Sequence, residues 1–286
     1  MPLKMRRLAT IVAVAGLAMQ PLSAVAQDPT PARTGISYTY ADIADLADSA
    51  GLVVHAQVRR IARVADERAP GLKPGTARFY IEARTKALLA GQAPLGDSIA
   101  YLVDLPLDAR GKAPKLKKAD VLLFARAVPG RPGEIQLVSP GAQQLWTPEL
   151  DARVRRVLEA LVAPDAPARI TGVRELLHVP GTLAGQGETQ IFLTTADGSA
   201  ASITVRHEPG RPPVWGVSFS ELVADVGHPP RKDTLEWYRL ACFLPNTLPP
   251  GANVSEAFGA RRQAESDYRM VLGELGPCNR TLAPRR

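Results

Sequence analysis

The stretch 76–88, TARFYIEARTKAL, decides how this chain is read. Phe79, Ile81 and Ala83 alternate with Tyr80, Glu82 and Arg84, the period-two pattern of a half-buried strand rather than the three-to-four spacing of a helix. It is bounded upstream by Pro70-Gly71 and Pro74-Gly75, which punctuate loops. Earlier still, Val54, Ala56 and Val58, followed by Ile61 and Val64, predict a long strand over 52–64 with a slip in its register. A helix-compatible segment, Tyr40 to Ser49, precedes it. Downstream, 99–105, 121–128 and 134–138 complete a set of five strands, with Pro129-Gly130 and Pro132-Gly133 marking the turns. The expectation is a β-barrel domain over 38–145.

A helix-compatible segment followed by five strands resembles the small barrels called OB-folds, and within them the netrin-like or TIMP-like modules of exported proteins. The residues that carry the resemblance are ADSAGLVV, 47–54, leading into the first strand, and KKADVLLF, 117–124, leading into the fourth. Netrin-like modules commonly fix their amino-terminal segment with cysteines, and 38–145 contains none, so the resemblance implies the barrel shape and not an inhibitory activity.

The second part, 147–286, opens on Thr147-Pro148, a cap followed by proline at the first helical position. Leu150, Val154, Val157, Leu158 and Leu161 then recur at helical spacing. Strands are predicted over 168–179, 188–195, 202–207 and 214–219. Consecutive short strands without intervening helices favour an antiparallel meander. Asp233-Thr234-Leu235-Glu236 has capping-box spacing ahead of Trp237 and Leu240, and a last helix is expected from Ser255 to Leu275, stopped by Gly276-Pro277. The fold class is therefore β-rich α+β: an OB-like barrel, then a small antiparallel sheet with flanking helices.

Gly181, Gly185 and Gly187 crowd together ahead of an apolar run and raise the question of a phosphate-binding loop. Such a loop runs from a strand into a helix and ends in Lys-Ser/Thr. Here a β-branched run, Thr189 to Thr195, follows instead, and Asp197-Gly198 then supplies the turn of a hairpin.

The amino terminus has the order of a signal peptide over 1–26: basic Lys4, Arg6 and Arg7, an apolar segment from Leu8 to Met19, and Ala24-Val25-Ala26 before polar Gln27. A flexible segment, 27–37, follows. No cysteine follows the apolar segment, which excludes a lipid-modified amino-terminal cysteine, and no later stretch is apolar enough for a transmembrane helix. Removing the three leader cations reduces the formal charge from +7 to +4. That balance, with export, argues against nucleic acid as a partner. A periplasmic or secreted location is expected. In such a compartment the two cysteines, Cys242 and Cys278, permit one intrachain disulfide.

No motif identifies a reaction. The histidines, His55, His178, His207 and His228, are not spaced to share one helical or strand face, so no metal or other cofactor is expected. Gly216-Val217-Ser218-Phe219-Ser220 lacks the final glycine of a nucleophile elbow. Asp42, Asp45 and Asp48 recur every third residue, which fits a helix start favoured by the dipole.

Two features suit binding: the basic loop carrying Arg110, Lys112, Lys115, Lys117 and Lys118, and the aromatic Trp215, with Trp237, Tyr238 and Phe243 more suited to core. The expectation is an exported, non-enzymatic binding protein whose partner is a protein or other envelope component. The alternatives are an envelope hydrolase drawing on His178, His207, Glu188 and Glu221, and a structural or assembly factor that forms homo-oligomers.

Overall fold

The alternation in 76–88 becomes the central hairpin of a barrel. A computed structural model of the chain describes residues 38–92, 95–220 and 226–282. The expected leader, the segment 27–37 and Glu221 lie outside the described residues. Helix α1, Tyr40–Ser49, leads into β1, Leu52–Arg63, then β2, Thr76–Ala90, β3, Ser98–Pro106, β4, Asp120–Ala127, and β5, Ile135–Leu137. A short strand β6, Gln143–Leu145, which sequence periodicity does not show, also pairs with β4. The sheet order is β3-β2-β1-β4-β5. A parallel bridge between Ala100 and Glu134 brings the two ends together, with the Ala100 N–H on the Gly133 carbonyl at 2.8 Å, so the barrel is nearly closed.

Alternation explains its interior. Val54, Ala56, Val58, Phe79, Ile81, Ala83, Ile99 and Val103 point inward and form one apolar cluster with Val121, Leu123 and Ala125. The expected slip in β1 is present as register shifts against β2 at Val53/Val54, His55/Ala56 and Val58/Arg60. Strand β4 breaks the alternation for a physical reason. Leu122 and Phe124 are also buried, on the outer side of the barrel, where they join a second cluster. That cluster runs through α1, through α2, Pro148–Val162, and into the second sheet.

The second sheet is an antiparallel meander in the order β10-β9-β8-β7: β7, Ile170–Pro180, β8, Gly187–Thr195, β9, Ser202–His207, and β10, Val214–Ser218. Gly198, at φ 79°, makes the β8–β9 turn as Asp-Gly implies. Helices α3, Leu235–Ala241, and α4, Phe258–Leu275, follow. Two details differ from the sequence reading. Thr234, not Asp233, caps α3, its hydroxyl accepting the Trp237 N–H, because Asp233 takes a left-handed φ of 60°. And α4 starts three residues later than expected, behind Ala257 with no side-chain cap.

A Cys242–Cys278 disulfide joins the segment after α3 to the segment after α4. Among the described residues, no helix is long and apolar enough to cross a membrane.

Helix α1 is the hub between the two parts, and its three aspartates do more than complement a dipole. Asp42 belongs to a capping box with Thr39, but it also accepts the backbone N–H groups of Thr281 and Leu282 and the Thr281 hydroxyl. Asp45 takes the Tyr238 hydroxyl at 2.7 Å and Arg280. Asp48 takes both terminal nitrogens of Arg239, at 2.9 and 3.1 Å, together with Arg169. One turn of helix after another thus fastens α3, the carboxy-terminal segment and the approach to β7. Burial alone would raise the Asp48 carboxyl pKa, but the two guanidinium groups outweigh it and hold that pKa below the ordinary value.

Candidate functional site

The basic loop, residues 107–119, connects β3 to β4 at one end of the barrel. Its shape follows from a few fixed points. The Leu107 N–H is on the Gly75 carbonyl at 2.9 Å, and the Asp108 carboxylate accepts the N–H groups of Arg110 and Lys112 at 2.9 and 2.8 Å. Gly111, at φ 70°, turns the chain. Leu116 is buried in the barrel cluster, so the loop is plugged into the barrel by an apolar side chain.

A tight turn follows, closed by the Ala119 N–H on the Leu116 carbonyl at 2.8 Å, with Lys118 at its third position and a left-handed φ of 70°. That position favours glycine, because a Cβ crowds the following carbonyl there. Two backbone hydrogen bonds to Val58, of 2.8 and 2.9 Å, hold Lys118 and Ala119 against β1 and enforce the conformation.

Arg110, Lys112, Lys115, Lys117 and Lys118 all project into solvent. Among the described residues none of them makes an ion pair. Elsewhere, among the described residues, exposed cations are of both kinds: Arg60, Arg63, Arg131 and Arg211 pair with Glu82, Asp66, Glu134 and Glu208, whereas Arg59, Arg68, Lys73 and Arg84 make no ion pair. Trp215 is placed differently. It is 3 % exposed, faces the core beneath α4, and donates its indole N–H to Glu274 at 2.5 Å.

The histidines from the hydrolytic alternative divide. His178 on β7 and His207 on β9 flank β8 on its core-facing side and converge on Asp267 of α4, a buried carboxylate 3 % exposed. Their spacing in sequence hides this, because three strands and a helix intervene. His207 Nε2 lies 3.0 Å from both Asp267 oxygens, so it carries a proton, and Gln263 Nε2 donates to Oδ1 at 2.9 Å. The Thr189 hydroxyl donates to Oδ2. With its one proton so committed, Thr189 accepts from His178 Nδ1–H at 2.8 Å.

Burial holds the His178 pKa below the usual histidine value; Asp267 opposes the shift and His207 adds to it. A side chain at Gly187 would come within 2.7 Å of the His178 ring, so glycine here makes room for the imidazole.

Glu188 faces the other side of the sheet, where it pairs with Arg206 at 3.3 Å and accepts from Gln190 at 2.6 Å. It does not meet the histidines. His55 sits apart on the barrel wall, stacked on Trp146 with ring centroids 4.8 Å apart and 3.9 Å from Asp120. Burial lowers its pKa as well, against the pull of Asp120.

Among the described residues no group of three or more His, Cys, Asp or Glu side chains is arranged to hold a metal ion. The Thr189 hydroxyl, wholly buried, is out of reach of a substrate. The His178–Thr189–Asp267–His207 array ties α4 to the sheet as a polar clasp. Sequence reasoning named His178 and His207 as candidates but missed Asp267 and Thr189, which join them. No protein-family model matches this chain, and no curated protein matches it significantly.

Proposed function

We propose that this is an exported, non-enzymatic binding protein that docks on an acidic component of the cell envelope through the basic loop 107–119. The observation that carries the reading is the set of exposed cations without ion-pair partners among the described residues, one of them, Lys118, held in a backbone conformation that would favour glycine. Strained positions of this kind gather where a side chain is needed for more than the fold. The disulfide supports an oxidising compartment.

Purified protein with the leader removed, immobilised and exposed to envelope extract, should retain a component that is released as salt is raised, because exposed charges are screened within about 8 Å at physiological ionic strength. Replacing Arg110, Lys112, Lys115, Lys117 and Lys118 together by glutamine should abolish retention. Retention of nothing, or equal retention by the neutral variant, would refute the proposal.

One observation favours a second reading, hydrolysis. His207 is oriented by Asp267 through Nε2, and its ring is partly open to solvent. Turnover in a broad hydrolase screen that disappears in His207→Ala would put catalysis in place of binding.

A further inference from the structure

The net charge of the chain is concentrated at one end of the barrel. Strands β1 and β3 both run antiparallel to β2, so the β1–β2 connection, residues 64–75, and the basic loop 107–119 emerge at the same end. Backbone hydrogen bonds hold them side by side: the Leu107 N–H is on the Gly75 carbonyl, and Lys118 and Ala119 are bonded to Val58 of β1. Together the two connections carry seven cations and only three carboxylates, Asp66, Glu67 and Asp108, a net charge of +4. That equals the formal charge of the whole chain without its leader cations, so the rest of the chain sums to neutral. At the opposite end, residues 91–97 and 128–134 hold a single cation, Arg131, which is paired with Glu134.

The kind of cation is as uneven as its number. Five of the eight lysines lie in these two connections, against two of the 27 arginines. Arginine presents a rigid fork suited to one carboxylate or phosphate in a fixed pose, whereas lysine is a hydrated point charge on a flexible stem, suited to a field of charge without fixed geometry. Lysine is also depleted at protein–protein interfaces, which are anchored by aromatic side chains and arginine. Among the described residues, none of the exposed large hydrophobic side chains falls in either connection. Resting on the binding role given above to loop 107–119, we propose that its acidic partner is the headgroup surface of an anionic phospholipid bilayer, on which this barrel end sits without inserting. Each lysine or arginine near such a surface adds to the attraction, which decays within about 8 Å at physiological ionic strength, so both connections contribute.

The test is co-sedimentation of the leaderless protein with vesicles of phosphatidylcholine alone and of phosphatidylcholine mixed equally with phosphatidylglycerol. The protein should sediment with the mixed vesicles only, and added salt should release it. Arg68→Gln with Lys73→Gln, outside loop 107–119, should weaken partitioning by about fivefold for each cation removed. Arg231→Gln with Arg269→Gln removes the same charge from the second part of the chain and should leave partitioning unchanged. Lys112→Arg with Lys115→Arg and Lys117→Arg should keep it, since charge and not geometry is read. Equal sedimentation with both vesicle types, or an equal loss in the Arg231/Arg269 variant, would overturn the inference. Retention of a component from envelope extract without vesicle binding would overturn it too, while leaving the binding role of the loop standing on another polyanion. Failure of both assays would remove that role as well.

Discussion

The barrel and the second sheet are held by different chemistry. Strands β1 to β5 contribute no buried polar or charged residue, and the barrel interior is closed by aliphatic and aromatic side chains alone. The cluster that joins α1 to the second sheet contains Asp42, Arg239, Asp267 and Thr189, all buried and all hydrogen-bonded to groups far away in sequence. The difference shows where directional interactions are needed. A strand pleat orients its own side chains, so periodicity alone can fill a barrel. Helices lying on a sheet slide and rotate unless something fixes them, and here aspartates on α1 and α4 do so.

The sharpest way to break this comparison is to remove one partner of a buried pair. Asp48→Ala leaves the Arg239 guanidinium, with 7 % of its side chain exposed, without its carboxylate partner, held by the Pro167 carbonyl and the face of the Tyr238 ring. An uncompensated buried charge of this kind costs about 3–5 kcal/mol, which urea denaturation would read directly. A loss below about 1 kcal/mol, the value of an exposed pair, would show that the aspartates of α1 are ornaments on an apolar interface.

Next in size is the disulfide. Its sequence separation of 36 residues corresponds to about 4 kcal/mol of loop-closure entropy, and a Cys242→Ser/Cys278→Ser variant tests it. Amide exchange in that variant should accelerate first in α3, α4 and the second sheet, with β1 to β4 protected longest. Equal acceleration throughout would show that the two regions open as one unit.

The same contrast accounts for what could be read from the sequence. Residues 76–88 announce their strand because Phe79, Ile81 and Ala83 face inward while Tyr80, Glu82 and Arg84 alternate with them; 202–207 shows the same alternation, and 52–64 is legible despite its slip. Short β6 escapes, since Gln143-Gln144-Leu145 has too few residues to establish a period. The barrel-end loop was visible as a run of charge and glycine, and the hairpin as Asp-Gly. The clasp was not visible. His178, Thr189, His207 and Asp267 become neighbours only through the β7–β8–β9 register and the placement of α4. Likewise Asp42, Asp45 and Asp48 show their spacing in the sequence, but not that Thr281, Arg280 and Arg239 lie opposite them.

A third test uses protons. The His178 pKa is lowered by burial, so the unfolded chain binds its proton first. Stability from this group is therefore complete above the unfolded value of about 6.5 and is lost as pH falls below it. The slope for one proton is at most about 1.4 kcal/mol per pH unit. His55, also lowered, adds a slope of the same sign from the barrel wall. Asp48, lowered by its guanidinium partners, contributes a second loss below its own unfolded value of about 3.9. In His178→Asn an amide N–H can still reach Thr189 but no longer titrates, so denaturation curves between pH 7 and pH 5 should flatten. An unchanged slope would assign the acid sensitivity to His55 and the barrel.

The smallest effect should come from the barrel end and carry the opposite sign. Lys118 holds φ at 70° in a turn bolted to β1, and an L-residue there gives up about 1 kcal/mol relative to glycine. Lys118→Gly should therefore stabilise the protein by about that much, since the exposed side chain contributes little packing. If the loop serves an acidic partner, the same substitution should weaken retention of the envelope component while the fold gains. Opposite movement of stability and binding at one residue separates a functional lysine from a merely solvated one. Should Lys118→Gly lose stability instead, its side chain supports the turn, and the strain at this position is no longer an argument for binding.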